Sequence, residues 1–137
     1  MAKSREAYVD TSAFIAFMDA SDRHHSLFAR LFAAPPPLVT TPLVIAEGHG
    51  WFLHRFDSDR PLRFLALVEA LAPLSIIPTG PTEIAAATGL LRRYADQPLT
   101  LADAVGLHLM AVRKIRVCWS TDRHLRLGGT PLVIDGG

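Results

Sequence analysis

Four acidic side chains in this 137-residue chain stand in apolar stretches, where uncharged residues would be easier to bury: Asp10, Glu47, Asp103 and Asp122. If the fold brings them together, their mutual repulsion calls for a cation. Carboxylate oxygens suit a hard divalent ion such as Mg²⁺ or Mn²⁺. Such an ion can polarise a phosphodiester and activate a water molecule without a nucleophilic side chain. The four acids therefore predict a metal-dependent hydrolytic site.

Alternating strand and helix signals predict the elements that must position these acids. Short apolar runs indicate strands, at residues 6–10, 38–40, 74–78, 117–120 and 132–134. Helices are expected between them, and Thr41-Pro42 and Thr100-Leu-Ala-Asp103 are clear start signals. Thr11 and Ser12 are expected to cap the first helix. The pattern predicts one α/β domain over residues 1–137, a three-layer sandwich with about four or five mainly parallel strands flanked by helices.

This topology would bring the acids to one edge of the sheet. In a parallel α/β sheet, ligands bind outside the carboxyl ends of the strands. Asp10 ends the first strand, Asp122 follows the fourth, and Asp103 lies in the first turn of the preceding helix. Glu47 lies roughly 8–9 Å along its helix at 1.5 Å per residue. Apolar neighbours at i±4 predict that Glu47 and Asp103 both point inward.

Each acid also has a simpler interpretation. Asp10 and Asp122 are good residues for helix N-caps, and Asp103 occupies the third position of a capping box. Glu47 has no cap role in the sequence. A non-catalytic α/β binding module, with the acids serving only as caps, is therefore kept as an alternative.

Composition excludes several other classes of site. Half the residues are hydrophobic and 20% are charged, which is typical of a globular protein, and the net charge of +1 says little about partners. The single Cys118 rules out a disulfide within the chain and a cysteine-based zinc cluster. The sequence has no metalloprotease motif, phosphate loop or serine-hydrolase elbow. Without a signal-peptide pattern or a long apolar run, the chain is expected to be soluble and cytoplasmic.

The ordered set of acidic motifs resembles the PIN-domain ribonucleases, especially the VapC toxins of bacterial toxin–antitoxin pairs. The matching pieces span nearly the whole chain: Val9-Asp10-Thr11-Ser12-Ala13, Val44-Ile45-Ala46-Glu47, Leu101-Ala102-Asp103-Ala104 and Ser120-Thr121-Asp122-Arg123-His124. Each piece is weak alone, but their order and spacing are specific. No acidic position is substituted.

The resemblance implies an Mg²⁺- or Mn²⁺-dependent enzyme that cuts single-stranded RNA. Asp10, Glu47, Asp103 and Asp122 match the acidic quartet, while Ser12 and Thr121 match polar positions that support the metal or the phosphate. The resemblance also implies an antitoxin partner and a homodimer. Besides this, three side chains near Asp122 are candidate RNA contacts: Arg123, His124 and Arg126. An RNA-processing enzyme without a toxin role and a structure-specific DNA nuclease remain alternatives.

Overall fold

A parallel four-stranded sheet lies at the centre of the computed structural model, which describes residues 5–136. Its strands follow the order β3-β2-β1-β4, with bounds Ala7–Val9 (β1), Leu38–Thr40 (β2), Leu74–Ile76 (β3) and Val117–Trp119 (β4). Six α-helices flank it: Thr11–Met18 (α1), His25–Ala33 (α2), Pro42–Arg55 (α3), Asp59–Ala70 (α4), Pro81–Arg93 (α5) and Leu101–Val112 (α6). A short 3₁₀ helix, Arg123–Arg126, follows β4. The predicted α/β class and parallel sheet are confirmed.

Side-chain caps begin two helices where the sequence predicts them. The Thr41 hydroxyl accepts a hydrogen bond from the Val44 N–H at 3.4 Å, and Pro42 occupies the first turn of α3. At α6, the Asp103 N–H donates to the Thr100 hydroxyl, and the Thr100 N–H donates to the Asp103 carboxylate, both at 3.1 Å. These bonds satisfy backbone groups that a helix start leaves without intrahelical partners.

Two local predictions are wrong. Thr11 and Ser12 do not cap α1, because Asp10 occupies the N-cap position and its side chain makes no capping hydrogen bond. The expected final strand at 132–134 is reduced to one bridge between Leu132 and Cys118. The chain turns there, since the Asp135 carboxylate accepts the Leu132 N–H at 3.0 Å and the Asp135 N–H donates back to the Leu132 carbonyl.

Helices cover the two faces of the sheet. The register between β1 and β4 pairs Tyr8 with Cys118 and Val9 with Trp119. Because successive side chains of a strand point to opposite faces, the two pairs lie on opposite sides of the sheet. Trp119 packs edge-on against Phe32 of α2, with ring centroids 5.0 Å apart. On the other side, a Cβ at Gly106 of α6 would lie 2.8 Å from the Tyr8 hydroxyl. Glycine is therefore required for α6 to approach β1 this closely.

Strand order creates a crevice between β1 and β4. From β1 the chain moves outward through β2 to β3, and it then returns to the other side of β1 as β4. Open α/β sheets bind ligands at such a switch point, beyond the carboxyl ends of the strands. The Asp10 N–H donates a hydrogen bond to the Trp119 carbonyl at 3.0 Å, and this bond joins the carboxyl ends of β1 and β4.

None of the helices described at residues 5–136 has the length and apolar character needed to cross a membrane. The prediction that the chain lacks a signal peptide depends partly on residues 1–4, and these residues lie outside the described part of the chain.

Candidate active site

Asp10 lies at the centre of a hydrogen-bond network in the crevice. It is only 4% exposed. The Ser12 and Ser120 hydroxyls both donate to its Oδ2 at 2.9 Å and lie 3.1 Å apart. The Thr121 N–H donates to the Ser12 hydroxyl, and the Asp122 N–H donates to the Ser120 hydroxyl, each at 2.9 Å. The network therefore fixes the Asp10 carboxylate relative to the chain that follows β4.

Burial raises the pKa of Asp10 from 3.8 to about 6. The hydroxyls of Ser120 and Ser12 and the Thr11 N–H oppose this rise, while the negative charge of Asp103 adds to it. None of the ion pairs within residues 5–136 involves Asp10. A buried carboxylate without a cationic partner is costly to ionise. The site therefore favours whatever brings positive charge to Asp10.

Asp103 and Asp122 complete an acidic edge around Asp10. Asp103 is buried, and its pKa is raised first by desolvation and also by the charge of Asp122. Thr100 opposes that rise by hydrogen bonding. Asp122 is half-buried and caps the 3₁₀ helix, since its Oδ1 accepts the His124 N–H at 3.0 Å and contacts the His124 ring Nδ1 at 2.8 Å. Asp103 and Asp122 thus carry both their cap roles and the negative charge of this edge.

Glu47 reaches the same edge in a way that the sequence does not predict. Its side chain is exposed, so the prediction that it points inward is wrong. Its neighbours Leu43 and Trp51 are themselves only half-buried, so the face of α3 that carries all three residues does not point into the core. The Thr11 hydroxyl donates to Glu47 Oε1 at 2.7 Å and ties Glu47 to the residue after Asp10.

Two site residues escape the sequence argument. The sequence predicts Thr11 only as a cap, whereas in the structure it links Glu47 to the strand end. Ser120 is fully buried and holds both Asp10 and the Asp122 backbone. Strand register carries the signal for Ser120, because pairing Val9 with Trp119 places residue 120 opposite Asp10.

The three candidate RNA contacts have different surroundings. Arg126 forms an ion pair with Asp135, which neutralises its charge locally. His124 lies against Asp122. Arg123 is exposed and makes no ion pair or hydrogen bond through its side chain within residues 5–136. Of the three side chains, that of Arg123 is the most available to a ligand.

Two buried groups lie beneath the acidic edge. The pKa of the Cys118 thiol is raised well above its usual value, first by burial and then by Asp10, Asp122 and Asp103. Burial, followed by the charge of Asp10, likewise raises the pKa of the Tyr8 hydroxyl. Thr41 opposes that rise, but the Tyr8 hydroxyl makes no hydrogen bond of normal geometry in the described chain. The acids thus rest on a floor of buried side chains.

The chemistry of the donors fits a hard divalent cation. The groups that surround the crevice are carboxylate and hydroxyl oxygens, and both hydroxyls engage Oδ2 of Asp10, leaving Oδ1 without a hydroxyl donor. Between residues 5 and 136, no three acidic, histidine or cysteine side chains group closely enough to enclose a metal ion. Mg²⁺ requires no such cage, because it keeps several waters and is bound through one or two carboxylates.

Comparison with known proteins gives a family match and a curated relative. The PIN-domain family profile matches residues 7–128. Ribonuclease VapC26 of Mycobacterium tuberculosis is 28% identical over 116 residues, which cover 84% of this chain and 85% of that protein.

Solved structures share the fold at lower identity. The Sarcin-Ricin loop cleaving toxin VapC20 of Mycobacterium tuberculosis aligns with a TM-score of 0.82 at 22% identity, covering 90% of this chain and 95% of that chain. A toxin–antitoxin complex from Klebsiella pneumoniae aligns with a TM-score of 0.62 at 20% identity, covering 93% of this chain and 95% of that chain.

Proposed function

This chain belongs to the PIN-domain family, and on that premise we propose that it is a divalent-metal-dependent endoribonuclease that cuts single-stranded RNA. The observation that carries the proposal is the buried Asp10 carboxylate, which lies at the switch point beside Asp103 and Asp122 without a cationic partner in the described chain. The curated relative is a ribonuclease, which supports RNA as the substrate. The long family match supports treating residues 1–137 as one nuclease domain.

In the proposed mechanism, the cation would be Mg²⁺ or Mn²⁺. One or two of the carboxylates of Asp10, Asp103 and Asp122 would hold it, and the remaining acid would add negative charge beside it. When bound, the ion supplies positive charge that polarises the phosphodiester and lowers the pKa of a water molecule. Ser12 and Ser120 position Asp10 by donating to one oxygen of its carboxylate.

Asp103 and Glu47 have defined surroundings in this mechanism. The capping box at the start of α6 fixes the position of Asp103. Glu47, held by the Thr11 hydroxyl, is an orienting carboxylate at the exposed rim of the site. Thr121 acts through its N–H, which orients the Ser12 hydroxyl toward Asp10. Hydrolysis then needs no nucleophilic side chain.

We further propose that the chain is the toxin of a toxin–antitoxin pair, acts as a homodimer and works in the cytoplasm, where its RNA substrate is found. The solved toxin–antitoxin complex supports an antitoxin partner. Large apolar side chains exposed on α3, on the segment that follows it and on α4 offer area for protein contacts: Leu53, Phe56 and Leu62.

Incubation of the purified chain with total cellular RNA tests the proposed activity. Cleavage is expected with Mg²⁺ or Mn²⁺ and not with EDTA, and mapped 5′ ends identify the cut sites. Asp10→Asn should abolish cleavage, whereas Asp96→Asn, which removes an exposed carboxylate outside the acidic quartet, should not.

The same experiment separates the alternative functions. Preferential cutting of flapped DNA over RNA would replace the proposal with a structure-specific DNA nuclease. Full activity of Asp10→Asn would exclude the mechanism. Absence of cleavage together with absence of Mn²⁺ binding by calorimetry would favour the non-catalytic module, with the acids acting as caps.

A further inference from the structure

A polar cleft borders the acidic edge on the side of the turn between α1 and α2. Its volume is about 380 Å³. Three segments of the chain form its walls, at residues 22–24, 121–123 and 134. Five of the six lining residues are polar or charged: Asp22, Arg23, His24, Thr121, Arg123 and Ile134. No sequence pattern associates residues 22–24 with the site.

This cleft shares a wall with the candidate active site. Thr121 lines it, and the N–H of that residue donates to the Ser12 hydroxyl, which in turn donates to Asp10. Arg123 directly follows Asp122 in the chain. A strand that reaches the acids at the switch point can therefore continue into the cleft without leaving the surface.

The charge in the cleft is of opposite sign to that of the acidic edge. The Arg23 and Arg123 side chains are exposed, and neither forms an ion pair or hydrogen bond in the part of the chain that the structure describes. Asp22 is the one acid in the lining, and its carboxylate already accepts the His24 N–H at 2.8 Å. Asp135, whose pKa Arg123 helps to lower, is itself bonded to Arg126. Two guanidinium groups therefore outnumber the one carboxylate in the lining.

We propose that this cleft binds a backbone phosphate of the RNA strand, next to the phosphate that is cut. The inference rests on the proposed ribonuclease function and names a second contact for its substrate. Arginine suits such a role because its planar guanidinium can donate two parallel hydrogen bonds to phosphate oxygens. Phosphate contacts fix the register of a strand without reading its bases. Arg23 and Arg123 are thus positioning residues that place the strand over the acids.

Salt-dependent binding in EDTA measures these contacts without cleavage. The probe is a fluorescein-labelled, mixed-sequence 12-nucleotide single-stranded RNA, and binding is followed by anisotropy between 50 and 300 mM salt, roughly the range in which counterion release dominates affinity. Arg23→Ala and Arg123→Ala should each weaken binding about tenfold at low salt. Each should also reduce the slope of log K against log salt concentration by about 0.7, the value for one phosphate on a single strand.

Matched variants separate this role from general charge and from folding. Arg92→Ala removes an exposed arginine on α5 and should leave both affinity and slope near those of the parent chain. Arg23→Lys and Arg123→Lys should restore most of the slope, because the charge remains. In cleavage assays the two alanine variants should raise KM more than they lower kcat.

Each outcome gives a decision. If the parent chain cuts RNA but the two alanine variants match Arg92→Ala in affinity and slope, the cleft does not bind the strand and the inference is overturned while the nuclease remains. If the parent chain neither binds nor cuts RNA, the proposed function fails and the inference with it. If the variants lose binding to poly-L-glutamate and keep binding to RNA, the cleft belongs to an acidic peptide, which also overturns the inference.

Discussion

Replacing Asp10 with asparagine should make the protein more stable while it removes activity. The native pKa of this carboxyl is about 6, against an ordinary value of 3.8. Below the lower value the group is protonated in both the native and the unfolded states. Between the two values only the native state retains the proton. Above the higher value the native state holds a buried charge, so the free energy of unfolding falls as pH rises through this window.

The size of the effect follows from the same two values. They differ by about two pH units, and each unit corresponds to about 1.4 kcal/mol, so ionised Asp10 costs the native state about 3 kcal/mol at neutral pH. The substitution removes the charge, and the amide oxygen of the asparagine side chain can still accept the hydroxyls of Ser12 and Ser120. We therefore expect the stability of Asp10→Asn relative to the parent chain to increase by about 3 kcal/mol as the pH rises from 3.8 through 6.

Urea unfolding in EDTA across this pH range measures the difference directly. Asp96→Asn, at an exposed position, should change stability by less than about 0.5 kcal/mol at every pH. Added Mg²⁺ should raise the melting temperature of the parent chain and leave that of Asp10→Asn unchanged, because a ligand stabilises only the state that binds it. A stability difference that is constant with pH, or that shrinks as pH rises, would refute the reasoning about burial.

Four other substitutions have defined outcomes. Gly48→Ala should lower the free energy of unfolding by about 1–3 kcal/mol, because its Cβ would lie 2.6 Å from the Phe64 ring. Gly50→Ala places its Cβ in open space and should raise the free energy of unfolding by up to about 1 kcal/mol. Urea unfolding measures both changes. Tyr8→Phe removes a buried hydroxyl without a hydrogen bond in the described chain and should raise stability by about 1 kcal/mol, and a loss of that size would reveal a hidden partner. Thr11→Val keeps the side-chain shape but cuts the link to the rim carboxylate, so kcat should fall roughly 10- to 100-fold with little change in melting temperature.

The sequence predicts the fold well where local chemistry specifies an element. Thr41-Pro42 and the Thr100 capping box begin helices in the structure as they do in the pattern, because side-chain caps act within three residues. The prediction of a last strand is wrong because its local sequence signal is ambiguous. Leu132 and its apolar neighbours resemble a strand, but the Asp135 carboxylate turns the chain there, and a short apolar run alone does not distinguish the two.

The candidate site is predictable only as far as topology reaches. Parallel strand order brings Asp10, Asp103 and Asp122 to one edge of the sheet. The sequence predicts this because it shows which acids follow strands and which begin a helix. Glu47 is different, because its position depends on one long-range hydrogen bond from Thr11. Ser120 and the cleft at residues 22–24 likewise arise from packing between segments that are far apart in the chain, for which a single sequence carries no local signal.

The single thiol gives this protein a built-in reporter of its own opening. Cys118 is fully buried in β4, below the acids and between β1 and the Leu132 bridge. Its raised pKa keeps it protonated, and a thiol reagent reacts with the thiolate. Labelling must therefore wait until this part of the sheet separates. Its rate, followed by mass spectrometry, tracks how often the floor of the site opens, without any introduced probe.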